Sequence, residues 1–89
     1  MNFPVIVTVT LREGIADPEG ATIERALPAL GFTGVTHVRA GKSFRMTIEA
    51  TDEASALEKA TALAERLLSN PVIEDASASI GTSATGGSV

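Results

Sequence analysis

From Phe3 to Leu11 the chain alternates, with Val5, Val7, Val9 and Leu11 on one face of an extended segment and Ile6, Thr8 and Thr10 on the other. Such a strand buries one face only, so the rest of the chain has to supply a cover for it. The pattern that follows predicts a helical cover. Arg12-Glu13-Gly14 interrupts the alternation, and Asp17-Pro18-Glu19 reads as a helix start: a carboxylate N-cap, a proline at the first helical position and an acid in the first turn. Ile23, Ala26, Leu27 and Leu30 recur at helical spacing as one apolar stripe, and Gly31 supplies a left-handed stop. Pro28 sits inside that run. It removes a backbone donor and crowds the carbonyl of Glu24, which predicts a bend or a loosened last turn.

After Gly34 a second strand is expected from Val35 to Arg39 and a third from Ser43 to Ala50, joined through Ala40-Gly41-Lys42 as an antiparallel hairpin. Phe44, Met46 and Ile48 are expected to face the core. Asp52 and Glu53 open a second helix, on which Ala54, Leu57, Thr61, Ala64, Leu67 and Leu68 form a broad apolar face. It is expected to end at Ser69-Asn70, because a residue before proline avoids helical backbone angles. Val72 to Ile80 reads as a fourth strand. Residues 81–89, rich in Ser, Thr and Gly, have the composition of a flexible tail, which leaves a single domain over residues 1–80. The order strand, helix, strand, strand, helix, strand predicts an α+β, ferredoxin-like βαββαβ two-layer sandwich, an antiparallel sheet with two helices on one face. The other face is expected to be open, with Ile6 and Val38 on it, and to offer a seat for a second subunit if it is apolar.

Composition sharpens that last expectation. The 89 residues include three Phe and neither Trp nor Tyr, so the core has to be built from Val, Ile, Leu and Ala, and a homodimer or tetramer is expected to supplement it. A formal charge of -4 and a pI near 4.8 argue against nucleic-acid backbones and anionic membranes as partners. No cysteine is present, which excludes disulfides, thiolate nucleophiles and sulfur-ligated metals. The start Met-Asn-Phe-Pro lacks the basic and apolar regions of a signal peptide, no apolar run reaches the roughly 20 residues of a membrane span, and a cytoplasmic location is expected.

Catalytic chemistry finds little material. His37 is the single histidine and has no carboxylate or second histidine at ligand spacing, so it reads as a surface or interface residue; Asp17 and Glu19 read as helix caps and not as metal ligands. Gly31, Gly34 and Gly41 do not form a phosphate-cradling loop. The fold also hosts acylphosphatases, metal carriers and RNA-recognition modules. The arginine-bearing loop, the paired thiols and the stacked aromatics that those functions require are all missing.

Three segments taken together carry a family resemblance: Asp17-Pro18-Glu19-Gly20 leading to Ile23 and Ala26-Leu27; Leu30-Gly31-Phe32 with Val35, Val38-Arg39 and Gly41-Lys42; and Leu67-Leu68-Ser69-Asn70-Pro71-Val72-Ile73-Glu74-Asp75. In order and spacing they resemble the PurS family, the small subunit of phosphoribosylformylglycinamidine synthase, over about residues 3–80. The sequence departs from that pattern at Pro28, at Ala76 and Ala78, and in the tail. The resemblance implies a non-catalytic subunit that joins a PurL-type synthetase to a PurQ-type glutamine amidotransferase in the fourth step of purine synthesis. ATP and Mg2+ are then expected on the synthetase, with no cofactor or metal in this chain. Arg39, Gly41, Lys42, Asn70, Pro71, Glu74 and Asp75, near turns and strand ends, are the interface candidates. The alternative is an ACT-like regulatory module binding a small metabolite near the Gly14 to Gly20 turn.

Overall fold

The computed structural model describes residues 1–81; the expected tail lies, beyond Gly81, outside the described residues. Its elements are β1 (Asn2–Leu11), α1 (Pro18–Ala26), β2 (Gly41–Glu49), α2 (Glu53–Leu63) and β3 (Glu74–Ile80). One 3-10 turn, Pro28–Leu30, follows α1, and a π-helical turn, Ala64–Leu68, closes α2. The sheet is antiparallel in the order β2-β1-β3. The expected α+β two-layer architecture is therefore present, with three strands in the described sheet.

The alternation in β1 does what its pattern requires. Val5, Val7 and Val9 are buried, opposite Met46, Phe44 and Lys42 on β2 and opposite Ile80, Ala78 and Ala76 on β3. Ala56, Ala60 and Ala64 lie one helical turn apart along α2 and are also buried, and with Ile48 these residues complete the core cluster. Short side chains along that line let the helix approach the sheet closely. The anticipated apolar face of α2 is thus rotated: Ala54 and Thr61 are exposed, and Leu67 is 73% exposed, because the line of closest approach follows the alanines and not the leucines. Phe44 and Met46 are half-buried against the cluster, as their alternation with Arg45 and Thr47 predicts.

The expected strand at Val35–Arg39 does not form. His37 adopts a left-handed φ of 60°, which breaks an extended run at a residue other than glycine. The backbone donors that follow it are taken by α1 and its cap: Val38 N donates to Glu24 Oε1 (3.1 Å) and Ala40 N to Asp17 Oδ2 (2.7 Å). Gly41 and Lys42 accordingly belong to β2 and do not turn a hairpin. Val38 lies against α1 and not on the open sheet face. That face carries Thr8, Thr10, Ser43, Thr47, Ser77 and Ser79 around a half-buried Ile6, so it is hydroxylated where an apolar surface was the condition for a covering subunit.

Helix α1 is bound to residues 38–40 and does not lie along the sheet as α2 does. Asp17 caps it through Gly20 N (3.0 Å), Pro18 opens it, and the helix ends before Pro28, as the missing donor at that residue dictates. Gly31, at φ 90°, ends the following 3-10 turn. Gly20 is where α1 meets the chain ahead of β2: a Cβ there would collide with the carbonyl of Val38 and the carboxylate of Asp17. The resulting molecule measures 50 × 31 × 15 Å with a radius of gyration of 15.9 Å. A compact domain of this length would have about 12 Å.

Candidate functional site

The interface candidates converge on one end of the sheet, where β1 finishes and β2 and β3 begin. Leu11, Asp17, Pro18, Glu19, Gly41, Lys42 and Glu74 line a cleft of about 400 Å³ there. Gly41 fits because its neighbour is backbone: a Cβ would stand 2.9 Å from the carbonyl oxygen of Val9.

Arg39 is 45% exposed and has internal partners. Its Nε lies 4.0 Å from Asp17 Oδ2, and Nη2 reaches the carbonyls of Leu11, Arg12 and Ile15, each at 3.5 Å. These are long contacts that tether the segment ahead of β2 to the β1–α1 connection. Lys42 Nζ is 4.0 Å from Glu74 Oε2. Glu74 is mostly committed to the fold: its side chain is 15% exposed, and its Oε1 accepts from Asn70 N (2.7 Å). Asn70 Oδ1 accepts from Val72 N (3.1 Å), the local turn that lets the chain leave α2 and enter β3 around Pro71. Asp75, at 64% side-chain exposure, pairs with Arg12 Nη1 at 3.4 Å.

Arg12 is the residue the sequence reading passed over as a strand break. Its Nε and Nη2 both donate to the carbonyl of Pro71, at 3.0 and 2.7 Å, fastening the Asn70-Pro71 turn to the end of β1. The only advance signal was a strand-end arginine together with an acidic residue shortly after an Asn-Pro turn. Asp17 does more than the cap expected of it. Donors from Gly20 and Ala40, with Arg39 near, hold its carboxyl below the ordinary carboxylate range. His37 is exposed, and its Nδ1 lies 3.1 Å from Thr36 Oγ1. Among the described residues no three of His, Cys, Asp and Glu gather as metal ligands, and no helix is long and apolar enough to cross a membrane.

What the charged end lacks in catalytic groups, the α1 side supplies in apolar surface. Ile23, Leu30, Phe32 and Val35 are exposed at 44, 68, 57 and 45%. Monomers seldom leave such a series uncovered without an interaction to use it.

A family model described as PurS, phosphoribosylformylglycinamidine (FGAM) synthase, matches residues 4–82. The phosphoribosylformylglycinamidine synthase subunit PurS of Mycobacterium leprae is 47% identical over 70 residues, covering 79% of this chain and 85% of that protein. Among solved structures, the PurS subunit of Thermotoga maritima superposes with a TM-score of 0.83 at 34% identity, covering 90% of this chain and 92% of that one. A chain of the PurLQS structure from the same organism gives 0.82 at 34% identity, covering 90% and 98%. With its fold and residues 4–82 matched, the chain belongs to the PurS family.

Proposed function

We propose that this chain is the non-catalytic PurS subunit of phosphoribosylformylglycinamidine synthase, an ATP-dependent ligase that uses glutamine, and that it joins a PurL-type synthetase to a PurQ-type glutaminase. The observation that carries this reading is the mismatch between its small Val/Ala core and the exposed stripe Ile23, Leu30, Phe32 and Val35 on the α1 arm. An assembly such as PurLQS, whose structure contains a chain matched above, would offer partner surfaces to cover that stripe.

On this reading the chain contributes geometry. Ammonia released in open water is protonated and diluted, whereas two active sites held together pass it on before it escapes. ATP and Mg2+ reside on the synthetase. The α1 arm meets a partner subunit, and the charged end bearing Arg39, Gly41, Lys42, Asn70, Pro71, Glu74 and Asp75 frames that contact. The chain also associates with itself, as a homodimer or tetramer, and works in the cytoplasm. Reconstitution tests the whole. Co-purification with both partners, and loss of glutamine-dependent but not ammonia-dependent turnover when this chain is omitted, are the expected results. Glutaminase or ATPase activity that stays with the purified chain alone would refute the non-catalytic role.

A further inference from the structure

We propose that the cleft at the charged end of the sheet is a binding site for a free aliphatic α-amino acid, with Lys42 taking its carboxylate, Glu19 its ammonium group and the apolar floor its side chain. The site belongs to the single chain and does not depend on the assembly role proposed above.

Four elements enclose the cleft. The end of β1 and the segment entering β2 bring Val9, Leu11 and Ala40, the first turn of α1 brings Pro18 and Glu19, and β2 and β3 bring Lys42 and Glu74. Val9 is 1% exposed, and Leu11 and Ala40 are half-buried, so the floor is packed and apolar. The volume, about 400 Å³, falls among those of small-molecule sites, which are mostly apolar with a few polar groups that set orientation.

The polar groups divide into committed and free. Both oxygens of Asp17 accept backbone hydrogen bonds, Oδ1 from Gly20 N and Oδ2 from Ala40 N, which makes this residue part of the wall. Oε1 of Glu74 is taken by Asn70 N. Lys42 Nζ stands 4.0 Å from Glu74 Oε2, too far for a hydrogen bond, and its side chain is 59% exposed, which leaves its donors to water or a ligand. Glu19 is exposed and, among the described residues, joins no ion pair.

This combination discriminates between ligand classes. A phosphate would meet one ammonium group against the carboxylates of Asp17, Glu19 and Glu74, and is repelled. A divalent cation would meet Lys42, and among the described residues the carboxylates form no metal-ligating group. A purely apolar molecule would strip water from Lys42 and Glu19 and return no hydrogen bond. A dipolar molecule satisfies both charges, and an aliphatic side chain uses the floor between them.

Titration of the full chain with L-leucine, followed by calorimetry and by backbone amide shifts in NMR, tests the assignment. For a ligand this small in an open cleft a Kd of about 1 mM is expected, with the shifts centred on Glu19, Gly41 and Lys42. Two analogues separate the roles. Isocaproate lacks the amino group and isoamylamine lacks the carboxylate, and each should bind roughly tenfold more weakly than leucine. Lys42→Met should bind leucine no better than isoamylamine, and Glu19→Gln should bind leucine no better than isocaproate, because each variant removes the group that tells the pair apart. Both side chains are exposed, so both variants should stay folded. An absence of shifts with L-leucine up to about 20 mM overturns the site, as does discrimination that is unchanged in both variants. Inorganic phosphate that moves the same amides as strongly as leucine would make the cleft an anion site and overturn the assignment too. Since the titration uses the chain alone, each of these outcomes leaves the joining of synthetase and glutaminase to its own reconstitution test.

Discussion

Replacing Leu30 and Phe32 by serine separates the exposed stripe's role in assembly from its role in folding. At 68 and 57% exposure, each side chain has already gained only the smaller part of what its burial is worth. Full burial of such a group is worth about 1.5–3 kcal/mol, so a partner covering the remainder gains about 1–2 kcal/mol from each. The pair then contributes about 2–4 kcal/mol, or roughly 30- to 700-fold in dissociation constant. On the same scale the buried remainder of the two side chains is worth about 1–2.5 kcal/mol in all to the isolated chain, so the double variant should melt at a lower temperature yet remain folded. The backbone bonds of the turn, Leu30 N to Leu27 O and Phe32 N to Leu27 O at 3.0 Å each, do not involve the altered side chains. The assay is binding of the double variant to a mixture of synthetase and glutaminase, with glutamine- and ammonia-dependent turnover on the same samples. Binding and glutamine-dependent turnover should fall together at equal partner concentrations, with ammonia-dependent turnover kept. A folded double variant that binds within twofold of the unaltered chain would refute the claim that the stripe is a partner surface.

The remaining predictions address the charged end and the core. Arg39→Glu with Lys42→Glu should weaken partner binding by an order of magnitude or more while moving Tm by only a few degrees, since the ties of both residues are long and exposed; unchanged binding or an unfolded variant would give this end a structural role alone. Arg12→Ala should cost about 1 kcal/mol, seen as a Tm loss of about 4–8 °C, by releasing the Pro71 carbonyl; an unchanged Tm would show that the turn holds without it. Ala60→Leu should destabilise by about 1–3 kcal/mol in urea titration, because Ala60 is fully buried between α2 and the sheet; a neutral result would mean that α2 moves away freely. The depressed carboxyl of Asp17 makes its contribution present above its ordinary value of 3.8 and lost as pH falls through its lower folded value, so Asp17→Asn should flatten the acid limb of the stability profile; an identical acid limb would contradict this.

Local chemistry in the sequence specified most of the elements. The alternation of β1, the Asp17-Pro18 start, the break at Pro28 and the Asn70-Pro71 turn each act through a backbone rule that needs no distant neighbour, and each stands where the residues put it. The failures all involve distant partners. Val35–Arg39 has β-branched residues enough for a strand, but side-chain oxygens on Asp17 and Glu24, 23 and 14 residues away from the donors they hold, bind the backbone that a strand would have used. The face of α2 was misjudged for a similar reason: periodicity weighs leucine above alanine, whereas the sheet chooses the line along which a helix comes closest. Arg12 escaped notice because its acceptor is a carbonyl 59 residues later.

The same distant hydrogen bonds bear on the surface proposed to meet a partner. Holding residues 38–40 to α1 and its cap withdraws the expected second strand from the sheet, and the exposed apolar residues Ile23, Leu30, Phe32 and Val35 lie in and just after that helix. The stripe offers undirected apolar area, which suits a shaped partner surface. Asp17 and Glu24 fasten α1 to the chain ahead of β2, so weakening them should disturb partner binding as the Leu30/Phe32 double variant does. Weaker partner binding on Glu24→Gln, with the chain still folded, is the expected result; unchanged binding would mean that the stripe is positioned without the bond from Val38 N to Glu24.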